Sequence, residues 1–253
     1  MNEISNTRDR MLSILVVVAT VATIIFNALA GTGRLNGVMT NEVSDKYPTV
    51  LTPAGYAFSI WGLIYFGLIA FSIYQFLPSR LERLRNVRLL YIISGVLNCA
   101  WLYAWHSFAI GFCVILIFAL LATLALINIK LKTAESAREA LFTKAPFGIY
   151  FGWVTAASIV NFVIYLRSID VQMTASTWNV LGCVFIAAAL VAAVIVRVKI
   201  RNFLYPLAVA WAATGIAIEQ QGNTAIILAC AICVIFCLVL SISFVMDLKS
   251  THA

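Results

Sequence analysis

Residues 53–75 read PAGYAFSIWGLIYFGLIAFSIYQ, a run of 23 positions without a charge that opens on Pro53 and Gly55. At about 1.5 Å per residue, such a run is long enough to cross the ~30 Å hydrocarbon core of a bilayer. Trp61 and Tyr65 stand four positions apart and so share one face of the helix they imply. Lipid contact asks only for aliphatic bulk. An aromatic face behind a Pro/Gly entry marks a helix that lines something.

The rest of the chain fits that reading. Of its 253 residues, 63% are hydrophobic and 11% charged, and the mean hydropathy is +1.00. A soluble domain of this size cannot bury so much apolar surface, so the fold class is an all-α polytopic membrane protein. The net charge of +7 does not point to nucleic acid, because the basic residues sit in short segments between apolar runs. The expected partner is the lipid bilayer.

Eight spans are predicted: Met11–Ala30, Gly55–Leu77, Leu89–Phe108, Ala109–Ile129, Phe147–Leu166, Trp178–Val196, Phe203–Ile218 and Thr224–Val245. The first follows Arg8 and Arg10 but is long for a signal core and lacks a small-x-small cleavage site, so it reads as a retained helix. With the N-terminus inside, Arg8, Arg10, Arg80, Arg83, Arg85, Arg88, Lys130, Lys132, Arg138, Lys144, Arg197, Lys199, Arg201 and Lys249 all face inward. Those are 14 of the 17 basic residues, and only Arg34, Lys46 and Arg167 remain outside. This positive-inside pattern predicts both termini cytoplasmic, in a multi-pass cell-membrane protein, with the bacterial inner membrane as the expected setting.

No Asp, Glu, Lys or Arg falls within the predicted spans, which argues against ion-coupled transport and against a retinal protein. His106 is expected at the outer end of its helix, as an interfacial residue. The six cysteines, Cys99, Cys113, Cys183, Cys230, Cys233 and Cys237, lie inside apolar runs and read as small packing residues rather than metal ligands. The longest outer loop, Gly31–Thr52, carries no apolar period and serves either as a connector or as a lid.

Two further spans carry chemistry. LNCAWLYAWH places Asn98, Trp101 and Trp105 on one face of the third, and WVTAASIVNF places Trp153, Ala157 and Asn161 on one face of the fifth. Asparagine in hydrocarbon is costly unless it bonds across helices or faces a cavity. These faces are therefore either helix–helix glue or pocket walls. Trp105, near an interface, is expected in the headgroup belt.

With these residues in view, the first five spans resemble the tryptophan-rich sensory protein/translocator protein family (TspO/MBR, the peripheral benzodiazepine receptor family). The resemblance rests on Pro53-x-Gly55 with Trp61 and Tyr65, on Leu97-Asn98-x-Ala100-Trp101, and on Trp153-Val154-x-x-Ala157-x-x-x-Asn161. It covers roughly Met11 to Arg167. The resemblance implies a five-helix TspO-like bundle over residues 1–167, followed by three further transmembrane helices over 168–253. It also implies a cavity lined by Trp61, Asn98, Trp101, Trp153 and Asn161, with Tyr65 and Ala157 supporting its wall. In the family that cavity takes porphyrins, and in some members sterols or benzodiazepine-type ligands.

Departures fall where the family kinks its helices. Ala54, and Ser59 or Ile60, stand in place of prolines in the second span, and Leu102 to Ala104 replace prolines in the third.

The function expected is a membrane ligand-binding or sensory protein for a porphyrin-like or other flat hydrophobic molecule. The alternative is a transporter or facilitator of a small hydrophobic molecule. Protoporphyrin IX or haem would be a ligand rather than a required cofactor, and without a histidine below the pocket a free porphyrin fits better than an axially ligated haem. An enzyme would have only tryptophans and tyrosines to work with, groups suited to photo-oxidation rather than acid–base catalysis. Small residues in Ala187 to Val194 allow close helix approach, as a second cavity wall or as a homodimer face.

Overall fold

The computed structural model describes residues 3–77, 84–134 and 136–243, and among them every regular element is helical. Of the inward charges expected above, Arg80, Arg83 and Lys249 lie outside the described residues. In order, the helices are α1 (Glu3–Gly31), α2 (Thr40–Asp45), α3 (Ile60–Tyr74), α4 (Arg85–His106), α5 (Ile110–Lys130), α6 (Ala137–Glu139), α7 (Ala145–Ser168), α8 (Ala175–Ile195), α9 (Tyr205–Glu219) and α10 (Thr224–Ile242). A 3-10 turn, Gly55–Ser59, leads into α3, and π turns at Ala140–Lys144 and Val196–Ile200 precede α7 and follow α8. Among the described residues, seven helical stretches are long and apolar enough to cross a membrane, and the short α9 is not one of them. The chain is thus a polytopic all-α membrane protein.

The chain divides into two compact units. The first comprises residues 1–43 and 61–147, and the second comprises residues 44–60 and 148–253.

In the first unit, α1 is amphipathic in reverse. Asp9, Ser13, Val16, Thr20, Thr23, Asn27 and Ala30 form its buried stripe, while Ile14, Val18, Val21 and Ile25 are exposed. Lipid is as apolar as leucine, so burying aliphatic groups gains little and hydrogen bonds between helices carry the association. The Thr20 hydroxyl bonds both Ser72 on α3 and the Tyr91 hydroxyl on α4. Gln75 Nε2 donates to the Ser13 carbonyl (3.0 Å), fixing α3 antiparallel to α1. Phe71 stacks on Tyr91 (5.2 Å between centroids) and meets Phe147 edge-on (4.9 Å).

One expectation fails here. Charged groups do enter the spans: α4 starts at Arg85, a turn earlier than its apolar run, and Arg88 is fully buried. Arg88 Nε donates to Gln75 Oε1 (2.7 Å), while Arg85 grips Asp9 through both carboxylate oxygens. A buried guanidinium is tolerated because Gln75 meets it with both its side-chain and its main-chain oxygen (2.7 and 3.2 Å).

In the second unit the helices approach through small residues. A Cβ on Gly152 would lie 2.5 Å from the Tyr205 carbonyl oxygen and 2.8 Å from Ala208 Cβ, so α7 and α9 touch backbone to backbone. A Cβ on Gly182 would meet Ile226 of α10 at 2.7 Å, and one on Gly215 would meet Ala57 at 2.7 Å.

Helices α8 and α10 run parallel with matched ends. Asn223 bonds Asn179 at one end (2.7 Å), and Arg197 bonds the Leu240 carbonyl at the other (3.1 Å). The chain returns between them through α9, which at 15 residues is short for a span.

Candidate functional site

Four of the seven site residues predicted from sequence belong to the first unit: Trp61 and Tyr65 on α3, and Asn98 and Trp101 on α4. Trp61 stacks on Tyr65 (5.7 Å, 20° between planes), a pairing that their four-residue spacing dictates. Trp101 stacks likewise on Trp105 (5.7 Å, 26°). Helices α3 and α4 run antiparallel, with Gln75 against Arg88 and Phe71 against Tyr91. Carried about two turns further, this register sets Tyr65 level with the Asn98–Cys99 turn of α4 and brings Trp61 level with the Trp101–Trp105 turn.

Asn98 is fully buried. Its Oδ1 accepts from Asn27 Nδ2 of α1 (2.8 Å), and the same Asn27 amide donates to its own helix at Thr23 (2.8 Å). The Nδ2 of Asn98 finds no acceptor. A buried amide donor left unpaired costs about 1–3 kcal/mol. Such a group is either strain or one half of a ligand contact.

The same end of the first unit carries an ordered cap. After α1 the chain reverses at Gly33, Asn36 and Gly37, all with positive φ (69°, 55° and 73°), a conformation glycine adopts freely and asparagine tolerates. Asn36 Nδ2 then donates to the His106 carbonyl (3.2 Å) and to the Ser107 hydroxyl (3.1 Å). The Trp105 indole N–H donates to the Thr40 carbonyl (2.9 Å). Trp105 is therefore buried under the loop rather than placed in the headgroup belt, and His106, also buried, bonds the Leu102 carbonyl through Nδ1.

The other three predicted residues, Trp153, Ala157 and Asn161, belong to the second unit, on α7. Trp153 is buried and meets Phe58 edge-on (6.0 Å). Asn161 is buried and returns its Nδ2 to the Ala157 carbonyl of its own helix (2.9 Å). The stretch leading to α3 is tied to α9: Ala54 N–H donates to Gly215 O (3.0 Å) and Trp211 Nε1–H to Ala57 O (2.9 Å), with Tyr56 edge-on to Trp211 (5.4 Å). A cavity of about 30 Å³ within this unit is lined by apolar groups, among them Leu51, Ile159, Phe185, Val209 and Cys233. It is far too small for a porphyrin.

Sequence reasoning missed Asn27, the partner that orients Asn98, and with it the Thr20–Tyr91 bond. The signal was present: Ser13, Thr20 and Asn27 recur every seven residues in an otherwise aliphatic helix, which is one face. No curated protein and no solved structure matches the chain. A profile of the TSPO-like protein family matches residues 13–244, so the match extends beyond Arg167 and takes in α8, α9 and α10. With a buried asparagine pair, stacked tryptophans and helices from α1 to α10 inside that match, the chain belongs to the TSPO-like protein family.

Proposed function

We propose that this chain is an integral membrane receptor for a flat hydrophobic molecule of the porphyrin class, held against the Trp101 face of α4. The observation that carries the reading is Asn98: a fully buried amide, oriented by Asn27, whose remaining N–H group has no protein acceptor. A ligand carbonyl or carboxylate would supply that acceptor. Indole faces at Trp61 and Trp101 would stack on a planar ring and remove apolar area from water at ~25 cal/mol per Å². By family resemblance, Tyr65 in the first unit and Trp153, Ala157 and Asn161 in the second are proposed as further ligand-binding residues. The protein works without a resident cofactor, in a bacterial inner membrane with both termini cytoplasmic and eight crossings.

The test is a protoporphyrin IX titration of the detergent-purified chain, followed by tryptophan quenching, beside Trp61→Phe, Trp101→Phe, Trp153→Phe and Asn98→Ala. Saturable binding that weakens at least tenfold in Asn98→Ala and Trp101→Phe supports the reading. Binding that is absent, or indifferent to all four changes, overturns it. Ligand uptake into proteoliposomes would move the facilitator reading ahead.

A further inference from the structure

Away from the asparagine pair, the first unit carries a groove of about 300 Å³ on the outside of α3. One wall is a single face of α3, Phe66, Ile69, Ala70, Ile73 and Tyr74, continued by Leu77 in the turn after it. The other wall is Phe142 and Arg138, from the π turn before α7 and the short α6. Tyr74 and Phe142 stack (5.3 Å, 13°) and form its floor. A π turn widens a helix by one residue per turn and often marks a functional site; here it carries Phe142 against the floor.

Length and charge say what fits. From Phe66 to Tyr74 the groove follows α3 for about 12 Å, and Leu77 lies in the turn just beyond the helix end. One leaflet of a ~30 Å hydrocarbon core is ~15 Å deep. Helix α3 runs antiparallel to the start of α7, since a Cβ on Gly67 would lie 2.9 Å from Pro146 Cβ while Tyr74 stacks on Phe142. That register brings exposed Arg138 level with Leu77, at the end of the groove where the span stops. The groove therefore runs most of the depth of one leaflet, apolar along its length, with the Arg138 cation at the end where the span stops. Lys130 and Lys132 add positive charge to the same connection.

We infer that this groove is a binding site for one anionic phospholipid, with an acyl chain along α3 and the phosphate on Arg138. A planar guanidinium pairs with phosphate through two parallel N–H donors, which a lysine cannot do. The site is separate from the proposed porphyrin site and does not rest on it.

Native mass spectrometry of the full chain, titrated with phosphatidylglycerol or phosphatidylcholine, reads it directly. Expected is retention of a single phosphatidylglycerol, weakened at least fivefold by Arg138→Gln. Ala70→Phe, which fills the groove and leaves the cation in place, should weaken it similarly, while Lys132→Gln leaves retention within twofold. Both groove variants face lipid or water and should melt like the wild type. Equal retention of both lipids, unchanged retention in Arg138→Gln or Ala70→Phe, or an equal loss in Lys132→Gln overturns the proposal.

Discussion

Across α1, α3 and α4, amides and hydroxyls meet: Thr20 with Tyr91 and Ser72, Asn27 with Asn98, and Gln75 with Arg88. Across α7, α8, α9 and α10, Gly152, Gly182 and Gly215 lie where a Cβ would come within 3 Å of a neighbour, main chain at Gly152 and side chains at Gly182 and Gly215. The two units weight two means differently: the first also packs closely at Gly67 against Pro146, and the second also bonds Asn179 to Asn223 and Arg197 to the Leu240 carbonyl. In lipid, helices gain little by hiding aliphatic groups from one another, so they associate through hydrogen bonds or through close van der Waals contact. The first solution leaves polar atoms at depth, available to a ligand. The second packs closely around a small apolar void.

That contrast breaks most visibly at Gln75. Gln75→Leu removes the carboxamide oxygen from a fully buried guanidinium, and the expected cost is about 3 kcal/mol, read as lost thermal stability or lost monodisperse protein. The matching variant in the second unit is Gly152→Ala. Its new methyl meets backbone that cannot rotate away, and a loss of about 2 kcal/mol is expected. Gly95→Ala is the control in the first unit: its Cβ would meet the Thr23 hydroxyl at 2.9 Å, a side chain that can turn, so the loss should be under about 1 kcal/mol. If the two alanine variants melt alike, the distinction between polar and close-packed association fails.

Trp211→Phe keeps an aromatic edge for Tyr56 and loses only the indole bond to Ala57. Bonds of this kind in membranes average about 0.6 kcal/mol, and a melting shift of that order is expected. The smallest stability effect is the most informative. Replacing Asn27 and Asn98 together by leucine removes both partners at once, which should be nearly neutral in a thermal melt. Porphyrin binding by the same double variant should be lost. A stable double variant that still binds would show that the pair is glue and no more.

Much of this protein was legible in its residues. Span lengths, the Pro/Gly entry at 53–55 and the aromatic faces of α3, α4 and α7 follow from composition and helical periodicity, because those depend on neighbours three and four positions away. The seven-residue recurrence of Ser13, Thr20 and Asn27 was equally legible in principle. Where Arg88 goes was not. Its sequence neighbours place it at a helix start, and only Gln75 arriving from α3 makes it a buried group. Trp105 is similar: spacing puts it at a helix end, and the turn after α1, with Asn36 in the left-handed region, is what covers it with Thr40.

The sequence by itself thus determined that the chain is an all-helical membrane protein, since hydropathy and periodicity are local properties, and the profile match over residues 13–244 set its family. Only the tertiary structure decided which polar atoms meet. That choice depends on which helix faces which and in what register, and residues 71 positions apart, such as Asn27 and Asn98, carry no local trace of each other.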